Sequence, residues 1–319
     1  MTKVRCAITM GDPSGIGAEV ILKALGTPGL SKSADFTVIG DRRVFEKCQS
    51  VKVSKYHDFV VIDLRNVPQK GFRFGKVRPE YGKAAMEYLQ KGLELIKSHK
   101  IDCLVTAPLN KKAVSLLGYH FSGQTEYIAR TFQVRDAVMM LFNKKLRVVL
   151  VTRHIPLKDV AKGLSAEKIS KVISTTALGL KSLFGIKKPK LSICGLNPHA
   201  SDSGVMGSEE RKLIIPAMAM AERLGIKVKG PYPADTIFQK AKAGNYDCIV
   251  CMYHDQGLIP LKLSGFQEVV NITLGLPFVR TSPGHGTAFD IAGKNQADPA
   301  SMIRAIQAAV LCTKNLKRA

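Results

Sequence analysis

Short apolar runs alternate with longer segments of helical periodicity along the whole chain. Several of the runs are continuously hydrophobic rather than alternating, which is typical of strands covered on both faces. Nine such runs, rich in β-branched residues, predict strands. They span residues 4–10, 36–40, 59–63, 103–107, 138–142, 146–152, 191–196, 247–253 and 269–274.

Helical periodicity is clearest in three of the intervening segments, 79–98, 165–183 and 208–224. Ser165 and Ser208 are suitable N-cap residues, and the two glutamates after Ser208 favour a helix start. Alternation of strands and helices over this length predicts an α/β fold with a largely parallel sheet. No Pro-, Gly- or Ser-rich linker stands out, so two domains would be joined by strands or short loops. Such an arrangement suits a cleft between the domains, which is a common place for small-molecule sites.

Composition narrows the class of protein. Of 319 residues, 45% are hydrophobic and 23% charged, which fits a folded globular protein and excludes a disordered polycation. No apolar run reaches the about 18 residues of a membrane span. The first residues lead directly into a predicted strand and leave no room for a signal peptide. The seven cysteines, an odd count set mostly in apolar runs, predict reduced thiols in a cytoplasmic protein.

A CxxC pair, Cys248 and Cys251, falls inside a predicted buried strand, and there is no second pair. We therefore expect both thiols to pack in the core rather than to bind zinc or react as a redox pair.

The net charge is +23, from 48 Lys and Arg against 25 Asp and Glu. A basic nucleic-acid-binding protein is one interpretation, and capture of anionic small molecules is another. The basic segment 141–190 contains only Phe142 and Phe184 as aromatic residues, and the chain has no Trp, so the stacking platforms of single-strand binders are missing. A solvated basic surface is favoured, with neither nucleic acid nor membrane as a partner.

Polar residues beside Gly or Pro cluster where predicted strands end. In open α/β sheets, ligands collect beyond the carboxyl ends of strands, so these loops predict a small-molecule site. The six loops span residues 11–17, 106–111, 123–126, 153–156, 196–200 and 253–257. The first matches neither a GxGxxG nor a Walker A sequence, and we interpret it as a tight strand-to-helix turn.

Three of the loops carry a histidine, namely His154, His199 and His254. A lone histidine at a strand end is usually structural, but three in equivalent positions could converge. Three imidazoles suit a divalent ion such as zinc, with an open position for substrate. His120 and His285 are alternative ligands that the pattern leaves open.

The C-terminal third combines an anion clamp with a glycine-rich segment. Lys262, Asn271 and Arg280 together would hold a phosphate or carboxylate, since Arg binds such groups in a bidentate way and Lys as a point charge. In segment 284–294 the glycines permit close backbone approach, and Asp290 could bind a ribose diol while repelling a 2′-phosphate.

These features together resemble the 4-hydroxythreonine-4-phosphate dehydrogenase family of vitamin B6 biosynthesis. The matching motifs lie, in order, at residues 8–13, 106–111, 197–200, 233–236, 253–257 and 271–282. Segment 285–294 also resembles the nucleotide loop of the isopropylmalate dehydrogenase superfamily, to which the family is similar in fold. The resemblance implies two α/β/α-layer domains with a cleft between them. Residues 1–120 with 285–319 would form the nucleotide domain, and 121–284 the domain of metal, substrate and dimer contacts.

The resemblance also implies an activity: NAD-dependent oxidation of the C3 hydroxyl of 4-phosphooxy-L-threonine, then decarboxylation to 3-amino-2-oxopropyl phosphate, in pyridoxal phosphate biosynthesis. The enzyme would be a homodimer whose subunits share each site, with one divalent metal ion, zinc before magnesium or cobalt. The implied residues are His154, His199 and His254 for the metal, one of them from the other subunit; Gln124, Thr125, Lys262, Asn271 and Arg280 for substrate; and His285, Gly286 and Asp290 for NAD.

One position departs from the family pattern, because Gln124 stands where the family commonly has His. Glutamine can hydrogen-bond but cannot exchange a proton near neutral pH. An NAD-dependent dehydrogenase of 4-phosphothreonate or 4-phosphoerythronate is therefore the alternative activity. The catalytic base stays open between Asp235, Asp255 and a lysine.

Overall fold

The structure is a computed structural model that describes residues 3–48, 59–118 and 123–318. The chain divides into two compact units, the first formed by residues 1–133 with 276–318 and the second by residues 134–275. The domain boundaries predicted from sequence were 120/121 and 284/285. His120, one of the alternative metal ligands, lies outside the described residues.

The described part of the chain contains eleven strands and ten α-helices. The strands are β1 (Arg5–Thr9), β2 (Asp35–Gly40), β3 (Phe59–Asp63), β4 (Cys103–Thr106), β5 (Val138–Phe142), β6 (Arg147–Leu150), β7 (Leu191–Cys194), β8 (Val228–Tyr232), β9 (Cys248–Cys251), β10 (Val270–Leu274) and β11 (Val279–Pro283). The helices are α1 (Gly17–Leu25), α2 (Arg42–Lys47), α3 (Pro79–Lys97), α4 (Lys111–Ser115), α5 (Gln124–Thr131), α6 (Ala166–Ser182), α7 (Ile215–Arg223), α8 (Ala234–Lys242), α9 (His254–Leu263) and α10 (Ala300–Leu316).

The first unit contains a parallel sheet in the order β3-β2-β1-β4-β11. Helix α3 packs on β1, β2 and β4, while α10 packs on β4 and β11 and against α1. Tyr81 and Tyr88 of α3 are fully buried, so this helix contributes large side chains to the core. Parallel strands bring their carboxyl ends to one edge, and the loops after β1, β4 and β11 therefore meet there.

The second unit contains a mixed sheet in the order β10-β5-β6-β9-β7-β8. Strand β5 is antiparallel to both β10 and β6, and the other pairs are parallel. Alternate side chains of β6 and β9, such as Val148 and Ile249, form a core with Ile237 of α8 and Leu261 of α9. Helix α6 packs on β5, β6 and β10. The sequence expectation of an α/β fold with a largely parallel sheet is confirmed.

All nine predicted strands are present, with ends shifted by a few residues, and two further strands were missed. Strand β8 contains Lys229, Gly230 and Pro231, and β11 contains Arg280, Thr281 and Ser282 in succession. Neither has the uninterrupted apolar pattern on which the prediction rested.

The predicted helix starts are partly correct. Ser165 caps α6, with its side chain accepting a hydrogen bond from the Lys168 N–H. The helix predicted from Ser208 instead begins with a π-helical turn, Glu210–Ile214, before α7.

The cysteines are buried and free, as expected of packing residues. Cys251 belongs to the core of the second unit, and burial raises the pKa of Cys248 to about 12. A protonated, buried thiol is a poor nucleophile and metal ligand, which supports the packing interpretation of the CxxC pair. Among the described helices, none is both long enough and apolar enough to cross a bilayer.

Candidate active site

Backbone hydrogen bonds tie three loops together at the carboxyl edge of the first unit's sheet. The Asp12 N–H donates to Pro108 O at 2.9 Å, joining the loops after β1 and β4. The Ile16 N–H donates to Thr287 O at 3.1 Å, joining the loop after β1 to the segment after β11. A side chain at Gly17 would collide with Met10 O, so the turn into α1 requires glycine there. Segments 11–17, 106–110 and 285–287 thus form one continuous layer.

Arg280 of β11 points into this edge and is only 2% exposed. Its Nη1 donates to Thr125 Oγ1 at 3.1 Å and its Nη2 to Thr106 Oγ1 at 2.7 Å. Burial lowers the pKa of Arg280 to about 10, with Glu126 acting in the opposite direction, and the guanidinium therefore stays charged at neutral pH. A buried guanidinium fixed in place by hydroxyl groups is the kind of side chain that binds phosphate or carboxylate groups.

Helix α5 adds a second source of positive potential beside Arg280. Gly123, at a φ of +157°, precedes the helix, and Gln124 and Thr125 are its first two residues. The first N–H groups of a helix carry partial positive charge and bind phosphate or carboxylate oxygens. Gln124 Nε2 donates to Ala107 O at 3.1 Å, which fixes this side chain against the loop after β4. Gln124, Thr125 and Arg280 are therefore brought together, as expected.

Asp12 is a fully buried carboxyl in the same layer. Its Oδ1 accepts a hydrogen bond from the Ser14 N–H at 2.8 Å, and the Asn110 N–H also stabilises the carboxylate. Its Oδ2 has no hydrogen-bond partner among the described residues. Burial raises the pKa of Asp12 to about 6, because desolvation penalises the charged form more than the two N–H donors stabilise it.

The predicted nucleotide segment follows β11 directly. His285 is largely buried, with Nδ1 3.0 Å from Gly286 O, and burial lowers its pKa. A side chain at Gly286 would meet nothing within 4 Å, so the protein itself leaves space over this backbone. Asp290 is exposed. Open backbone beside an exposed carboxylate suits a ribose and its phosphates.

In the second unit, His154 and His254 follow β6 and β9, and their ring centroids lie 5.7 Å apart. His254 Nδ1 is 2.6 Å from Asp255 Oδ1, which leaves Nε2 to face a ligand. A carboxylate on the far nitrogen is a common support for a metal-binding imidazole. Two imidazoles, of which His254 has this support, fit one divalent cation, although they do not complete a coordination shell.

His199 is not brought to the other two histidines within the chain. No group of three His, Cys, Asp or Glu side chains that could hold a metal occurs in the ranges that the structure describes. His199 begins a run of five residues, 199–203, with positive φ. Buried Glu210 anchors the preceding segment by accepting hydrogen bonds from the Leu196 and Asn197 N–H groups, both at 2.8 Å.

The remaining predicted substrate residues, Lys262 and Asn271, lie in the second unit. Lys262 occupies the last turn of α9, with Nζ 5.5 Å from the ring centroid of Phe266. Asn271 lies on β10, and its buried Oδ1 has no hydrogen-bond partner among the residues described.

Three residues with clear roles in this geometry were missed from the sequence. Thr106 and Asp12 lie in loops recognised as polar strand ends, but nothing in the pattern separated them from their neighbours. Glu210 was assigned to a helix start, whereas its carboxylate holds the loop that precedes His199. Only the spatial arrangement distinguishes these three.

Comparison with known proteins places the chain in a family. A family model described as "Pyridoxal phosphate biosynthetic protein PdxA" matches residues 24–309. The chain is 42% identical to a 4-hydroxythreonine-4-phosphate dehydrogenase of Sulfurihydrogenibium sp., covering 97% of this chain and 98% of the relative. It is 40% identical to a D-threonate 4-phosphate dehydrogenase of Salmonella typhimurium, covering 95% and 97%.

A solved structure shows the same fold. The crystal structure of a 4-hydroxythreonine-4-phosphate dehydrogenase from Klebsiella pneumoniae superimposes with a TM-score of 0.87 at 37% identity, covering 98% of each chain. Sequence and fold agree over nearly the whole length, and the chain belongs to the PdxA family of pyridoxal phosphate biosynthetic proteins.

Proposed function

We propose that this protein is an NAD-dependent 4-hydroxythreonine-4-phosphate dehydrogenase. It would oxidise the C3 hydroxyl of 4-phosphooxy-L-threonine to a β-keto acid, which then loses carbon dioxide to give 3-amino-2-oxopropyl phosphate. The observation that carries the proposal is the buried Arg280, held by Thr106 and Thr125 at the start of α5. Within this family, such a site is suited to an anionic group of a phosphorylated substrate.

Orientation is the main contribution of these residues. The guanidinium of Arg280 is fixed in direction by two hydroxyl acceptors, so an anionic group that binds it is held in a defined orientation. Lys262 and Asn271 would bind further polar groups of the same substrate, as the family resemblance implies. Holding a substrate in one orientation can contribute several kcal/mol to catalysis, roughly 7 or more in favourable cases.

A divalent metal ion fits the two imidazoles of the second unit. His154 and His254 would hold it, with Asp255 supporting His254, and His199 of a second copy would complete the set. Such an ion, zinc before magnesium or cobalt, would polarise a substrate hydroxyl or carbonyl oxygen. The chain's own part is to present the two imidazoles side by side, with Asp255 orienting the ring of His254.

NAD would bind along the segment after β11. His285 and Gly286 leave backbone open to the cofactor, and exposed Asp290 would accept hydrogen bonds from a ribose diol. A carboxylate at this place would repel a 2′-phosphate, so NAD rather than NADP is the expected cofactor.

We also propose a homodimer in the cytoplasm. Ile259 and Leu263 of α9, together with Phe266 just after the helix, form an exposed apolar face, and Leu263 is 84% exposed. The apolar face and His254 belong to the same helix, since His254 is the first residue of α9. A second copy that packs on this face would therefore bind next to the element that carries a metal ligand. Seven free, buried thiols suit a reducing compartment.

A second candidate substrate is 4-phosphothreonate, and Gln124 is the observation that favours it. Fixed on Ala107 O, Gln124 offers an amide where the family commonly has an ionisable imidazole. One relative with 40% identity is named a D-threonate 4-phosphate dehydrogenase. 4-Phosphoerythronate is a further variant of this alternative.

Parallel steady-state assays of the same preparation test the proposal. We expect kcat/KM with 4-phosphooxy-L-threonine and NAD to exceed that with 4-phosphothreonate or 4-phosphoerythronate by about ten-fold or more, equivalent to about 1.4 kcal/mol. The reverse order would assign the second candidate. Metal-free protein should lose turnover with every substrate and regain it on addition of Zn²⁺, Co²⁺ or Mg²⁺, and full activity without metal would remove the metal from the proposal.

A further inference from the structure

A hollow lined by lysines lies at the amino ends of strands in the second unit. Its volume is about 900 Å³, and its lining includes residues just before β7, β8 and β9. The histidines of the candidate metal site follow the carboxyl ends of β6, β7 and β9, so the hollow lies at the opposite edge of the sheet. Six lysines contribute to the lining: Lys181, Lys187, Lys188, Lys190, Lys227 and Lys229. We call this hollow the lysine groove.

The charges of the lysine groove are not balanced by acidic side chains. The lining contains no Asp or Glu, and none of its lysines forms a salt bridge with a described residue. One carboxylate lies beside the lining, that of Asp247, whose Oδ2 accepts a hydrogen bond from the backbone N–H of Lys190 at 2.7 Å. By contrast, Lys171 and Lys317 elsewhere in the chain each pair with an aspartate.

Helix dipoles offset only part of this charge. Helices α6, α7 and α8 all end near the groove, since Lys181, Ile226 and Asn245 in its lining lie at or just after their last turns. Each helix end carries about half a negative charge, so three ends and one carboxylate offset less than half of six lysines. The groove therefore has a strong positive potential that favours a multivalent anion.

The side chains of the groove indicate the chemistry of the anion. Lysine binds phosphate as a point charge without fixing the orientation of the anion. Among the described residues that line the groove there is no arginine, and this set suits a flexible chain of phosphates better than a carboxylate. Tyr246 is the single aromatic residue among the described residues of the lining, and one ring does not provide a stacking platform for successive bases. A bounded hollow also fits a compact ligand better than a long polymer.

We propose that the lysine groove binds a compact anion that carries a run of three or more phosphates. This site is separate from the proposed dehydrogenase site and does not depend on its activity. The phosphate run can come from a free inorganic polyphosphate or from a nucleoside triphosphate, because both present the same chemistry to the lysines.

Calorimetric titration of the full-length protein with tripolyphosphate tests the proposal. We expect saturable binding of one tripolyphosphate per chain, weakened about ten-fold or more between 0.05 and 0.3 M KCl because several charge contacts are involved. The triple variant K188Q/K190Q/K227Q should bind at least about ten-fold more weakly. Its unfolding temperature should be unchanged or higher, since like charges have been removed.

A matched control separates the groove from the overall charge of the molecule. The variant K32Q/K70Q/K100Q loses the same charge at three exposed lysines of the first unit and should keep the affinity of the unaltered protein. Equal weakening in the two triple variants, or no saturable binding, would overturn the proposal.

Two further ligands identify the source of the phosphates. If ATP binds more tightly than tripolyphosphate, and this affinity is lost in the groove variant but not in the control variant, the proposal is supported with a nucleotide as the ligand. If the two bind equally, it is supported with the phosphate chain as the recognised part. A short single-stranded RNA that binds the groove more tightly than tripolyphosphate would contradict a compact anion and make the groove a nucleic-acid surface.

Discussion

At the scale of single residues, the candidate active site is defined by two buried ionisable side chains, Arg280 and Asp12. Arg280 could be predicted from its place near a Gly-Pro turn and from the family motif, and Thr125 and Gln124 from the motif alone. Thr106 could not be predicted, because a threonine at the end of a buried strand is common and only its 2.7 Å contact with Arg280 gives it a role. The burial of Asp12 likewise depends on loops distant in sequence that close over it.

Replacement of Arg280 tests the anion site. In Arg280→Lys the two hydrogen bonds to Thr106 and Thr125 cannot both form with the same geometry, so the cation loses its fixed orientation. We expect KM for the phosphorylated substrate to rise about 100-fold, a loss of about 2.7 kcal/mol, with a smaller fall in kcat. Steady-state kinetics measures both. The exposed Arg223→Lys is the control, and an unchanged KM in Arg280→Lys would contradict the assignment.

Asp12 gives a pH dependence of stability with a defined sign. Its pKa is about 6 in the folded protein, above the value of about 3.9 in an unfolded chain, so its contribution to stability is present at low pH and is lost as the pH rises through 6. In Asp12→Asn, whose amide oxygen can still accept from Ser14, this loss disappears.

Chemical unfolding at several pH values measures the effect. Between about pH 4 and 8, the unaltered protein should lose about 2 kcal/mol of unfolding free energy relative to Asp12→Asn. If the free energies of unfolding of the two proteins change in parallel with pH, the pKa of the Asp12 carboxyl is not raised on folding.

At the scale of elements, sequence pattern was sufficient for the strands that are apolar throughout and failed for the others. Strand β11 is a central example, since it carries the polar Arg280, Thr281 and Ser282 in fully buried positions. Hydrophobic periodicity cannot find a strand whose polar residues are inside. The positive-φ run 199–203 was equally unpredictable, because only Gly204 at its end is a residue that favours this conformation.

The loop that carries His199 depends on Glu210. Its carboxylate accepts two backbone N–H groups and the Asn197 side-chain amide, at 2.8 and 2.9 Å. In Glu210→Gln, the single amide oxygen can accept only some of these three hydrogen bonds. The new NH₂ group is itself a donor and would lie against the N–H donors that remain. We expect a loss of about 2–3 kcal/mol of unfolding free energy, measured by denaturant titration.

The exposed Glu222→Gln of α7 is the control for this variant and should change stability by less than about 0.5 kcal/mol. Affinity for Zn²⁺, measured by calorimetry, should also fall in Glu210→Gln if the loop positions a metal ligand. Unchanged stability would show that the hydrogen bonds of Glu210 contribute little.

At the scale of the whole molecule, the sequence predicted the fold class and a small-molecule site at the carboxyl ends of the strands, but it did not predict where the excess lysines gather. The net charge of +23 is partly concentrated in the lysine groove, at the sheet edge opposite the histidines of the second unit. The large apolar side chains on α9 also stay exposed in one chain. Both surfaces depend on which helix faces remain uncovered, which the pattern of a single helix does not determine.

The apolar face of α9 predicts the oligomeric state. In Leu263→Asp a charge replaces an exposed leucine at the centre of this face, and its burial in a dimer would be strongly unfavourable. We expect light scattering to give a dimer for the unaltered protein and a monomer for Leu263→Asp. Leu178→Asp, at a leucine 64% exposed on α6, should stay dimeric. A dimer in all three proteins would exclude this face as the interface.

The central claim is that this chain oxidises and decarboxylates 4-phosphooxy-L-threonine with NAD. The most direct measurement is a complete conversion of a known amount of that substrate by the metal-loaded protein, with NADH and carbon dioxide quantified together. We predict one NADH and one carbon dioxide for each molecule of substrate consumed. Absence of NADH formation, with metal and NAD both present and the protein folded, would contradict it.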